Sequence, residues 1–181
     1  MRGPIRRVPA GCCVAAMLLA LASAWAGASE PARVARGEGL AFQAVLSPTQ
    51  GVPEPGGAIT IERGVFRARV RPDLSAMDVV LLVEPSSPVL AAHLHCGRAG
   101  TTGPIPFGLI NPGRLVFDGN VARGTLTNED FTGSDCTEFV GRPVNNIAAL
   151  ALAMRDGLIY VNVHTADNPP GEVRGQVLEI D

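Results

Sequence analysis

Residues 160–177 read Tyr-Val-Asn-Val-His-Thr, then Ala-Asp-Asn-Pro-Pro-Gly, then Glu-Val-Arg-Gly-Gln-Val. Apolar and polar residues alternate, stop at a run rich in Asn, Pro and Gly, and alternate again. A period of two belongs to a strand, and the interrupting residues belong to a turn. Segments of the same kind recur along the chain: Leu40–Leu46, Ala58–Glu62, Gly64–Val70, Ala76–Val83, Ala91–His95, Ile105–Leu109, Arg114–Asp118, Asn120–Leu126, Leu158–His164 and Glu172–Glu179. Most are bounded by Gly, Pro, Asn or Asp, and Asp118-Gly119-Asn120 reads as a hairpin turn. Many short strands at this spacing predict an antiparallel β-sandwich or Greek-key barrel. One short helix interrupts the pattern near Asn146–Arg155, before the penultimate strand. Asn145 or Asn146 caps it, Ile147, Leu150, Ala151 and Met154 share a face, and Gly157 ends it.

The first 28 residues have the form of a secretory signal. Arg2, Arg6 and Arg7 precede an apolar run from Gly11 to Trp25, and small residues at Ala24, Ala26 and Ala28 suit a signal peptidase. The run is short for a transmembrane helix, so no stable membrane span is expected after cleavage. Residues 29–38 read as a flexible polar arm, and 39–181 as one domain. All 15 basic residues are arginine, a usage in keeping with a GC-rich bacterial genome. Removing three of them with the signal leaves 12 basic against 17 acidic residues, a net charge of −5. A mildly acidic exported domain does not suit nucleic acid. The expected location is periplasmic or extracellular.

Cys12 and Cys13 leave with the signal, and Cys96 and Cys136 remain. In an oxidising compartment two such cysteines pair; the alternatives are two free thiols or a thiolate metal ligand.

Three blocks carry a family resemblance. The first is residues 160–177. The second is Ala92-His93-Leu94-His95-Cys96-Gly97 with Gly103-Pro104 behind it. The third is Phe42-Gln43-Ala44-Val45-Leu46-Ser47 followed by Gln50-Gly51-Val52-Pro53. In this order they resemble the CHRD (chordin) domain, over nearly everything after residue 39. The resemblance implies a secreted, non-enzymatic binding or scaffold module, and leaves its protein partner or ligand undefined.

The chain has three histidines, His93, His95 and His164, all within the two stronger blocks. His93 and His95 share one strand face, with Ala92 and Leu94 on the other; Asn162 and His164 point outward where Val161 and Val163 point inward. Neighbouring strands would bring three imidazoles together on the outer face, an open ligand set for copper or zinc. The same rings equally suit hydrogen bonds to backbone carbonyls beside Gly-Pro turns, or proton transfer. A His-x-His strand, a late histidine, a cysteine pair and a closing Gly-rich strand also resemble parts of Cu/Zn superoxide dismutase. That enzyme's second His/Asp cluster and its fourth copper-side histidine have no counterpart here.

Asp167 and Glu172 are candidates to orient an imidazole, and Asp167 with Asn168 to shape the turn. Glu172 and Arg174 share a face and suit a surface ion pair worth about 0–1 kcal/mol; Arg174 alternatively steers an anion. No G-x-S-x-G, glycine-rich phosphate loop or HExxH occurs, so no residue is assigned as catalytic. Aromatic residues make up 4% of the chain, too few for a platform that stacks sugars or bases.

Overall fold

The structure is a computed structural model that describes residues 39–54 and 63–181. The signal, the arm and the strand expected at 58–62 lie outside the described residues.

Among the described residues ten strands form two antiparallel sheets. They are β1 (Leu40–Leu46), β2 (Arg63–Val70), β3 (Ala76–Glu84), β4 (Val89–Cys96), β5 (Phe107–Ile110), β6 (Phe117–Asp118), β7 (Val121–Thr127), β8 (Ile159–Thr165), β9 (Val173–Gln176) and β10 (Leu178–Ile180). One sheet has the order β10-β1-β2-β3-β7-β6 and the other β5-β4-β8-β9. The fold is the sandwich of the two expected architectures, and among the described residues neither sheet closes into a barrel.

The period of two dictates the core. Phe42, Phe66, Met77, Leu81 and Leu126 of the six-stranded sheet face Leu94, Phe107, Val161 and Val163 of the four-stranded one, and all nine are fully buried. Among the described residues two α-helices accompany the sheets, α1 (Thr137–Val140) and α2 (Ile147–Arg155). In α2 the expected cap is present: the Asn146 side chain accepts from the Ala149 N–H at 2.8 Å. The expected face, Ile147, Leu150, Ala151 and Met154, is buried together with Ala153.

The closing segment departs from the single strand expected at Glu172–Glu179. It breaks at buried Val177, so that β9 pairs with β8 in one sheet and β10 with β1 in the other. Alternation alone does not reveal the break, because the side chains keep their period while the hydrogen-bond partner changes. At this corner the backbones nearly touch. Ser47 and Arg174 exchange two main-chain hydrogen bonds, of 2.9 and 3.1 Å. A Cβ on Gly175 would lie 2.3 Å from the Val45 carbonyl, so only glycine fits there. The strand expected at Arg114–Asp118 shortens to β6, which pairs with β7 across the expected hairpin turn.

Cys96, at the end of β4, is bonded to Cys136, which immediately precedes α1; 40 positions separate them. The bond ties the loop after β7 to the strand that carries two of the histidines.

Candidate metal centre

β4 and β8 are neighbours, and their register decides the geometry. His93 lies opposite Asn162, His95 opposite Tyr160, and His164 opposite Ala91. His164 is therefore the diagonal neighbour of His93 on the outward face of the small sheet. One nitrogen from each of the three rings lies within 4.8 Å of the others. The closest pair, His93 Nδ1 and His164 Nε2, is 3.2 Å apart.

The outward face is not a wet one. His93 and His95 are 7% and 8% exposed and His164 is half-buried. The loops after β4, β5 and β8 fold over the rings, and each supplies one backbone carbonyl. His95 Nδ1 donates to the Gly103 carbonyl at 2.9 Å, His93 Nε2 to Asn111 at 3.1 Å, and His164 Nδ1 to Pro169 at 2.8 Å. A carbonyl only accepts, so each contact places the ring proton on that nitrogen. The nitrogens left with lone pairs are His93 Nδ1, His95 Nε2 and His164 Nε2. His95 Nε2 is buried, and among the described residues none hydrogen-bonds it. His93 Nδ1 and His164 Nε2 face each other.

Burial pushes His95 down to about 4, against the opposing pull of its bond to Gly103; His93, His164 and Arg174 add to the lowering. Burial likewise lowers His93, and the bond to Asn111 opposes it. Both rings are thus held neutral at ordinary pH, the form in which imidazole is a ligand. Unfolded His95 takes up its proton near pH 6.5 and the folded ring only near 4, so the metal-free protein loses stability as pH falls through that window. From this ring alone the expected loss is about 3 kcal/mol. Urea unfolding at pH 7 and 4.5 checks it: the wild type should weaken more than His95→Gln, and equal slopes would contradict the assignment.

Tyr160 stacks on His95 with ring centroids 4.8 Å apart and an 8° interplanar angle. Its hydroxyl accepts from the Gly103 N–H at 3.1 Å. Gly103 thus holds both rings, and a Cβ there would sit 1.8 Å from the Cys96 carbonyl oxygen. Gly103→Ala should cost about 3 kcal/mol in urea unfolding, because backbone has to move; a loss under about 0.5 kcal/mol would mean that the loop yields freely.

Two expectations need correcting. Glu172 and Arg174 are not an exposed ion pair: they are 1% and 3% exposed and lie in separate networks. Loops fold over this face and engage each one separately. Glu172 accepts from the Ser86 N–H and hydroxyl, both at 2.8 Å, and from the Thr165 hydroxyl at 2.5 Å. The Arg174 guanidinium lies 3.4 Å from the centroid of the Tyr160 ring and donates to the Arg98 carbonyl. Nor do Glu172 or Asp167 orient an imidazole, since backbone carbonyls do; Asp167 is exposed in the turn, its N–H bonded to the Ser87 hydroxyl. Tyr160 was missed as part of the cluster. Its place two positions before Asn162 and four before His164 on one strand face was the available signal.

The sequence profile described as CHRD domain matches residues 42–177 of the chain. Comparison with curated proteins and with solved structures returns no match.

Proposed function

The chain belongs to the CHRD-domain family, and we propose that it is an exported, non-enzymatic binding module whose ligand is one copper or zinc ion, held by His93, His95 and His164. One observation carries this reading: three backbone carbonyls each engage one nitrogen of three imidazoles whose ligand atoms lie within 4.8 Å of one another, and the free nitrogens of His93 and His164 face each other at 3.2 Å. Without a cation the arrangement is unfavourable, because it leaves a buried acceptor unpaired and sets two lone pairs against each other. Metal-ligating histidines commonly donate their other N–H to a carbonyl, which fixes ring orientation. Three ligands leave a position for water or another group.

Export is supported by the signal-like N-terminus and by the disulfide. Among the described residues no helix is long and apolar enough to cross a membrane.

The test is calorimetry of the metal-free protein with Zn(II) in buffer that contains azide, which can fill the position the three histidines leave open. One ion per chain is expected for the wild type and none for His95→Ala. Binding that survives in His95→Ala would place the ion elsewhere. A histidine-dependent turnover in the metal-loaded protein would replace the binding-module reading with an enzymatic one.

A scaffold role toward another protein rests on a different surface. On the outer face of the six-stranded sheet, Val45, Val65, Leu82 and Val121 stand in one cross-strand row. Val45 is 60% and Leu82 38% exposed. In sedimentation, Val45→Asp/Leu82→Asp should abolish any concentration-dependent self-association while leaving metal binding unchanged. A wild type that is monomeric at every concentration would remove a second copy of this chain as the partner.

A further inference from the structure

The charge around the three histidines bears on which ion they hold. Resting on the three-histidine reading above, we infer that the site is built for a monovalent ion, Cu(I), and holds a divalent ion only together with an exogenous anion.

The ligand set carries no negative charge. All three ligands are imidazoles, and the groups that orient them are neutral carbonyls rather than carboxylates. Cys96 is oxidised and offers no thiolate. Both oxygens of Glu172 are taken by Ser86 and Thr165. Among the described residues the ionisable groups that act on His95 are His93, His164 and Arg174, and on His93 only His164; no carboxylate acts on either ring.

A fixed positive charge stands beside the His95 end of the cluster. His95, Tyr160 and Arg174 form one stack, with the guanidinium on the far side of the tyrosine from the imidazole. No ion pair joins Arg174 to a carboxylate among the described residues. With 4.8 Å between the His95 and Tyr160 rings and 3.4 Å from Tyr160 to the guanidinium, the guanidinium lies within about one Debye length of the His95 ring, close enough for a partly buried pair to interact with little screening.

Two consequences follow for the ion. Repulsion from Arg174 doubles between a monovalent and a divalent ion, and the cost of leaving water rises with the square of the charge. Zinc also almost always takes four ligands and finds three here, whereas Cu(I) is satisfied by two or three. A divalent ion therefore needs a fourth ligand, and an anion there offsets the charge that a neutral water would leave unbalanced beside Arg174. Half-buried His164 leaves the cluster open to solvent on its side, from which such an anion can enter.

The untagged protein from the exported fraction is titrated without oxygen at pH 6.5, where a zinc-bound water of pKa about 7 is mostly undissociated. Cu(I) is followed by competition with a cuprous chelator, and Zn(II) by calorimetry in buffer free of halide and carboxylate, with and without azide. Cu(I) should bind one to one with an affinity that azide does not change. Zn(II) affinity should rise at least ~10-fold with azide, and without azide should rise ~10-fold in Arg174→Met, while Cu(I) changes less than ~3-fold. Tight Zn(II) binding that ignores both azide and Arg174 would overturn the monovalent assignment and leave the histidine site standing. Failure of both metals to bind would bring down the site itself. If Arg174→Met does not fold, the azide dependence of the wild type decides alone.

Discussion

Replacing Cys96 and Cys136 together by alanine lowers stability by about 4 kcal/mol, the chain-entropy cost of releasing a closed loop of that length. The bond spans 40 positions and both cysteines are fully buried, so alanine fills their places without exposing a polar group. The expected readout is a lower urea midpoint with little change in slope, matched by the wild type in reductant. The loss should extend to the ion as well. Cys96 adjoins His95, and its N–H and carbonyl contact Pro104 and the Gly103 position of the loop that supplies His95's carbonyl. Metal affinity in the double variant should therefore fall about tenfold, the size typical of losing an orienting contact. A double variant as stable as the wild type would show that the loop is held by packing alone.

His164→Ala should lower metal affinity more than ~100-fold, beyond the ~10–100-fold typical of losing an orienting partner of a ligand. His164 is the most solvent-accessible of the three rings, so its removal should spare the fold. The variant also removes the facing lone pair of the 3.2 Å contact with His93. The metal-free form should then be as stable as the wild type or slightly more so, while the metal-loaded form loses its gain in melting temperature. Asp167→Ala is the control: it alters the same turn at an exposed carboxylate that bonds no ring, and should leave affinity unchanged.

Much of this was legible from residue spacing. Strand periodicity put His93, His95 and His164 on outward faces, because side chains two positions apart point the same way. The α2 cap and buried face followed from Asn146 and the spacing of Ile147, Leu150, Ala151 and Met154. The rest depended on what alternation does not encode. "Outward" meant polar but not exposed, because the loops carrying Gly103, Asn111 and Pro169 cover that face. The groups that set the tautomers are main-chain carbonyls, which have no side-chain identity to read. Glu172 and Arg174 looked like a surface pair because their spacing was right, yet Ser86 and Arg98, both distant in sequence, engage them separately. The break at Val177 was hidden for a similar reason: a strand can pass from one sheet to the other without altering its own pattern.

The central claim is that three particular nitrogens hold the ion, and nitrogen-15 NMR of the imidazoles tests it most directly. In the metal-free protein near neutral pH, the protonated nitrogens should be His93 Nε2, His95 Nδ1 and His164 Nδ1, the three that face carbonyls. On adding one equivalent of Zn(II) with azide, or of Cu(I), the resonances that move should be His93 Nδ1, His95 Nε2 and His164 Nε2. Reversed tautomers, or metal that leaves those three nitrogens unmoved, would contradict the account.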